Sequence, residues 1–435
     1  MSAPRVEPRF PLLHALAALR NPDAYFRYRA RRENPFAMFI PGLAEVHLAG
    51  RADAVREFLT LSSTATAPPT PNPIGPVVGE GSIILLSAEA HRRERARLLS
   101  ALSAERVRGY AAGMAQAARD EIAQWRPGDE IDVRDIAQTI TLRIIIRAVF
   151  GVEDQQRSDH YVRVIKSMMR SYISALMFVP ALRRAPAGLG PWGRFVRRRA
   201  ELDALLSEDI SRWRAIGPGG CDNVLSALLR GDDRGDEVVR QQLRTLLIAG
   251  HETSATTLTW ALYHVHREDH VRRRLLADLA TCPTREEIVK LPYLNAVISE
   301  TLRMHPPVSI AVRQLTCPVT MWKRRRARGD VVGVALPAVH ADPAVWPDPG
   351  RFSPSRFLDH RFGPAVFSPY GYGHRRCVGS TFANVELAVV MATILSHVDL
   401  QMSPQERRRR PPRSVPRGIA AIPNRRIALQ VTGRR

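Results

Sequence analysis

The sequence predicts a mainly α fold with small β-sheets, on three observations. Apolar residues recur at helical spacing from Val238 to Val265, a run far too long for a strand. A second helical run, Leu291 to His305, stops at Pro306-Pro307, where a missing N–H and a rigid ring end helices. From Ser414 to Val431 turn residues alternate with short apolar runs that include Ile427, Leu429 and Val431, the pattern of a small β-hairpin region. A length of 435 residues would by itself suggest two or three domains, yet no linker, repeat or low-complexity run divides the chain.

Taken in order, the N-terminal stretch Phe10 to Leu19 is apolar but broken by His14. It is too short to cross a bilayer, and no signal-peptide pattern accompanies it. A soluble, cytoplasmic protein without a transmembrane anchor is expected. Two apolar segments follow, Ala65 to Leu86 and Met168 to Gly193, the second with Met168, Met169, Ile173, Leu176, Met177 and Phe178. Between them, Ala88 to Leu102 reads as a helix on which His91 and Arg95 share one face at i, i+4. Arg92, Arg93, Glu94 and Arg97 lie on the same helix, so an ordinary solvated face is the plain alternative.

The Val238–Val265 helix carries a polar block at its middle, Ala249-Gly250-His251-Glu252-Thr253-Ser254. Its glycine costs about 1 kcal/mol against alanine in a helix interior. A solvent-facing stripe or a helix-packing glycine would explain the block without function. On the next helix Glu300 and Arg303 lie three apart, a common pair worth a few tenths of a kcal/mol when exposed.

Residues Phe367 to Gly379 read Phe-Ser-Pro-Tyr-Gly-Tyr-Gly-His-Arg-Arg-Cys-Val-Gly. Glycine lets a backbone approach a flat ring, Arg375 can reach an anion, and the helix pattern Phe382 to Leu395 would aim N–H groups at the Cys377 sulfur. Such a thiol suits an axial ligand of haem iron. Lone buried cysteines are more often small core hydrophobes. Structural zinc lacks a second ligand at the right spacing, His374 included, and a Cys/His nucleophile has no specific support.

The segment resembles the haem-binding loop of the cytochrome P-450 superfamily, Phe-x-x-Gly-x-Arg-x-Cys-x-Gly, through Gly373, Arg375, Cys377 and Gly379, with Tyr370 where the pattern has Phe. Phe382, Ala383 and Glu386 continue the match. The polar block resembles the family's distal helix, which implies that Thr253 handles dioxygen, Glu252 relays protons and Gly250 leaves room beside the iron. Glu300, Arg303 and Arg356 of Pro354-Ser-Arg-Phe resemble the structural Glu-x-x-Arg cluster. His91, Arg95, Arg313 and Arg375 fall at positions that imply contacts to the haem propionates, and Cys377 is implied as the metal ligand, with Gly379 beside it.

The resemblance implies one P-450-like domain, residues 1–435, enclosing one haem b (iron protoporphyrin IX), a monomer of the soluble bacterial type. It implies a monooxygenase acting on a hydrophobic, fatty-acid-like or terpenoid-like molecule, with electrons from NAD(P)H through a ferredoxin or flavodoxin and its reductase. A haem-thiolate peroxygenase or isomerase, or a non-catalytic haem carrier, are the alternatives, and the Glu252-Thr253 pair argues against them. The charge of +22 would ordinarily suggest nucleic acid. Only Lys166, Lys290 and Lys323 among 64 basic residues are lysine, which points to coding bias, and the dispersed arginines better suit an acidic electron-transfer partner. The four cysteines, Cys221, Cys282, Cys317 and Cys377, lack paired spacing and suggest a reducing compartment.

Overall fold

The computed structural model describes residues 11–435 apart from 41, 174–175, 178, 186–187, 217–222, 231–234, 283 and 419, so Cys221 and Phe178 lie outside the described residues. At its centre runs one 32-residue helix, Asp236–Arg267. From residue 243 to 266 every position on it is buried except Ala249, Gly250 and Thr253. A helix apolar on all sides needs partners on all sides, and it finds them in Val133–Phe150, Gly190–Ile216, Pro292–Met304 and Ser380–His397.

Local chemistry sets the ends of the companion helix Val133–Phe150. The Asp132 side chain accepts from the N–H groups of Arg134 and Asp135, and Gly151 closes the helix at φ 66, in the left-handed region. Ser380–His397 is long and apolar enough to span a membrane, but 72% of it is buried inside the protein, as a core helix should be.

The β structure is richer than the sequence reading anticipated. A five-stranded sheet has the order Phe36–Ile40, Ala44–Ala49, Val331–Ala335, Ile310–Leu315, Thr66–Ala67. Its N-terminal hairpin joins Val331–Ala335 in parallel, pairing Val46 with Val331, and Ile310–Leu315 adds antiparallel, pairing Arg313 with Val332. The expected C-terminal hairpin is present as Ser414–Arg417 with Ala420–Pro423. Ala428–Arg434 leaves it, however, and pairs instead with Glu130–Asp132 and Val398–Gln401. Long-range partners of that kind leave no signature in local spacing.

Glu300 and Arg303 are fully buried, and the guanidinium grips the carboxylate twice, Nε to Oε2 at 2.6 Å and Nη2 to Oε1 at 2.9 Å. Arg303 also donates to the carbonyls of His340 (2.8 Å) and Pro349 (3.0 Å), while Glu300 Oε1 accepts from the Ser353 N–H (2.9 Å) and faces Arg356 Nε at 3.4 Å. One ion pair thus ties the Pro292–Met304 helix to the chain between residues 340 and 356, just before the cysteine loop. Because burial leaves the survivor of a broken pair without water, Glu300→Ala should lower unfolding free energy by about 3–5 kcal/mol. Denaturant titration checks this; a loss below 1 kcal/mol, the ordinary value of an exposed pair, would contradict it.

Candidate active site

The cysteine loop is shaped by two glycines, Gly371 (φ 69) and Gly373 (φ 68), whose backbone other residues reach only with strain. The Cys377 N–H donates to the Tyr370 carbonyl at 2.8 Å, closing the loop. Tyr370 is accommodated in place of phenylalanine because its hydroxyl donates to Asn384 Oδ1 at 2.7 Å. Gly379 does not supply conformational freedom: it has an ordinary φ of −89 and caps Ser380–His397. Its N–H hydrogen-bonds the Cys377 sulfur, and a Cβ there would sit 3.9 Å from Sγ.

Burial pushes the Cys377 thiol up, while the Gly379 N–H, Arg95 and Arg376 pull it down. The residue is nonetheless accessible to solvent. A side chain both crowded by protein and accessible lies on the wall of a recess.

Beside it gather His91, Arg95, Arg313, His374 and Arg375. The rings of His91 and His374 meet edge to face at 6.3 Å. Arg375 donates to the carbonyls of Ile83 (3.3 Å) and Leu86, Arg95 to that of Arg376 (2.5 Å) and Arg313 to that of Val312 (2.7 Å). Their mutual effects are all repulsive. Burial and then Arg375 lower Arg313 to about 10; burial and then Arg95 lower Arg375 to about 10. Burial, with Arg375, Arg95, His374 and Arg313 behind it, lowers His91 to about 4. Arg375 Nε is buried with no hydrogen-bond partner. A crowded cation set held only by neutral carbonyls suits an anionic ligand. Beside one thiol crowded by protein yet accessible, this donor chemistry fits haem, whose propionates need cations and whose iron accepts a thiolate.

On the central helix, Ala249, Gly250 and Thr253 form the single accessible patch between residues 243 and 266. Thr253 Oγ1 donates to the Ala249 carbonyl at 2.6 Å. Glu252 is tied to the companion helix, accepting from Arg134 at 3.0 Å and Gln138 at 3.3 Å. Gly250 also packs tightly, as the helix-packing alternative expects: a Cβ there would lie 2.4 Å from Ile145 Cδ1, where Val133–Phe150 approaches closely.

Sequence reasoning did not anticipate Arg134, Gln138, or Thr141, whose Oγ1 lies 3.0 Å from His251 Nδ1. All three lie on Val133–Phe150, and local spacing cannot say which helices face one another. Glu386, matched only as a motif residue, is buried against Ser254, the neighbour of Thr253, and burial raises it to about 8.

Residues 4–430 match the family model described as Cytochrome P450. A protein provisionally named cytochrome P450 135A1 in Mycobacterium tuberculosis is 32% identical over 329 residues, 74% of this chain and 71% of that protein. One provisionally named cytochrome P450 138 in Mycobacterium bovis is 31% identical over 355 residues, 79% and 77%. Among solved structures, retinoic acid-bound cyanobacterial CYP120A1 superimposes with TM-score 0.83 at 23% identity over 97% of this chain and 96% of that one. The cytochrome P450DA heme domain does so with TM-score 0.85 at 24% identity over 99% and 97%. The chain belongs to the cytochrome P450 family, and its activity is that of a haem-dependent P450 monooxygenase.

Gly250→Leu should lower the melting temperature by several degrees, and adding Ile145→Ala should recover much of the loss; no recovery would mean that Ile145 is not the obstacle. Glu386 gives a pH prediction. Between the ordinary carboxyl value of 4.5 and about 8 the folded chain keeps a proton that the unfolded chain releases. Stability therefore falls as pH rises across that window. Glu386→Gln should flatten the decline in unfolding experiments, and an unchanged slope would contradict the assignment.

Proposed function

We propose that this P450 inserts one oxygen atom from dioxygen into a hydrophobic, fatty-acid-like or terpenoid-like molecule, using NAD(P)H electrons delivered by a ferredoxin or flavodoxin. The observation that carries the reading is the accessible patch Ala249-Gly250-Thr253 in the otherwise buried stretch from residue 243 to 266, an opening with an alcohol at its edge. Haem, when bound, would supply the redox chemistry of a monooxygenase. Cys377 would hold the iron, and His91, Arg95, Arg313 and Arg375 the propionates. The whole chain is proposed to act as one haem unit, which the span of the family match supports.

The chain's own residues manage protons. Thr253 Oγ1 is the donor nearest the opening and can exchange its bond to the Ala249 carbonyl for one to the reacting oxygen. Glu252 lies one residue away and reaches the outer side through Arg134, which is 21% exposed. To serve Thr253 the carboxylate must loosen its hold on Arg134 and Gln138. The substrate would lie under the Ala65–Leu86 segment, whose Val77, Val78 and Ile83 are buried apolar residues. In the second apolar stretch Met168, Leu176 and Met177 belong to the core, which supports the packing role such residues most often have.

Arg92, Arg93, Arg97 and Arg376 are exposed near the cysteine loop and would form the docking face for an acidic redox partner. Free thiols at Cys282, Cys317 and Cys377 support a cytoplasmic location.

Thr253→Ala should keep NAD(P)H consumption while product falls about tenfold or more and peroxide appears, since proton delivery by a positioned group contributes roughly 10²–10⁴-fold. Unchanged coupling would remove Thr253 from the mechanism. Reduction by an acidic ferredoxin should slow as salt rises; indifference to ionic strength would count against the docking face.

A further inference from the structure

A cavity of about 670 Å³ lies away from the cysteine loop, between the Pro68–Leu85 segment, the Gly190–Ile216 helix and the first turns of the central helix. Its wall holds four guanidiniums, Arg183, Arg199, Arg240 and Arg244, against three carboxylates, Glu80, Asp203 and Glu237. The pairing is uneven. Asp203 contacts Arg244 and lies 3.9 Å from Arg199, and Glu237 contacts Arg240. Among the described residues Arg183 donates to the carbonyls of Leu176 (2.8 Å) and Met177 (2.7 Å), and Arg199 donates to that of Pro76 at 2.7 Å. Arg244 is 3% exposed, and its Nε is buried without a hydrogen-bond partner. Burial and then the positive charges of Arg244 and Arg240 lower Arg199.

An ion-pair network serving only to hold the roof together would match each guanidinium with a carboxylate. This one has one cation more than it has carboxylates among the described residues, and a half-enclosed cavity focuses the surplus. Guanidiniums recognise carboxylates through paired N–H donors. A surplus of a single charge suits a monoanion, and the remaining wall, Pro68, Pro69, Pro71, Pro76 and Leu85, is apolar.

We infer that this cavity is the recognition site for the carboxylate of an amphipathic monocarboxylic acid substrate. The inference rests on the hydrophobic-substrate reading above and narrows it. Arg244 and Thr253 lie nine residues apart on one helix, about 13 Å along its axis and roughly half a turn apart in direction. The two side chains therefore leave the helix on roughly opposite sides, so with the acid end held at Arg244 only a body long enough to pass around the helix reaches Thr253. The wall is linked to the candidate active site: the Gly81 N–H donates to Gln241 Oε1 at 2.5 Å, Gln242 Oε1 accepts from the Ile83 N–H at 3.2 Å, and the Ile83 carbonyl accepts from Arg375.

The test is calorimetric titration of the haem-loaded protein with myristate, 1-tetradecanol and methyl myristate, followed by the same series with Arg199→Met and Arg183→Gln. Myristate should bind about tenfold more tightly than the alcohol or ester, the order expected for one charge-assisted contact. Each variant should reduce that preference while leaving alcohol affinity unchanged. Equal binding of all three ligands by the unaltered protein overturns the inference and leaves the hydrophobic-substrate reading standing. Failure of all three to bind overturns both. A variant that weakens acid and alcohol alike also overturns it, because a merely structural arginine would act on both.

Discussion

The contest between burial, which disfavours negative charge on the Cys377 sulfur, and the donors and cations set against it is the constraint around which the candidate site is built. Burial alone pushes the Cys377 thiol toward its neutral form. The protein opposes that with the Gly379 N–H at the start of Ser380–His397, with Arg95 and with Arg376. None of these donors is placed by its own segment alone. Gly371 and Gly373 bend the loop, the bond from Cys377 N–H to the Tyr370 carbonyl closes it, and Arg95 arrives from a helix 281 residues away in sequence from Arg376.

Rigidity behind the loop comes from charge buried at some cost. Glu300 and Arg303 would be a liability in the core were either left alone, yet together with the carbonyls of His340 and Pro349 and the Ser353 N–H they satisfy most of each other's hydrogen-bonding capacity. The cation cluster at Arg95, Arg313 and Arg375, beside a His91 that it helps keep neutral, follows the opposite logic: its neighbouring charges repel, and among the described residues its guanidiniums donate to neutral carbonyls. A satisfied ion pair marks structure, whereas an unsatisfied cluster of one sign marks a place for a ligand.

Much of the site was legible in the sequence because its chemistry demands particular residue types. The thiol in its glycine-rich loop stands out in local spacing, whereas Thr253 and the Glu300–Arg303 pair, which spacing alone leaves ordinary, were picked out through the resemblance to the P-450 family. Gly250 shows the limit of that reading. Its conformational cost was visible, but its tight contact with Ile145, on a helix more than a hundred residues earlier, was not. Arg134 and Gln138, which hold Glu252 across 118 and 114 residues, were invisible for the same reason. So was the N-terminal hairpin Phe36–Ile40 with Ala44–Ala49, whose place is set by parallel pairing to Val331–Ala335.

The most direct test of the account is the absorbance of the reduced, haem-reconstituted protein under carbon monoxide, alongside Cys377→Ser. Sulfur ligation predicts a red-shifted carbonyl band in the unaltered protein that disappears in the variant, while the variant keeps its helical content. A band that is absent from the start, or that survives the substitution, would contradict the assignment of Cys377.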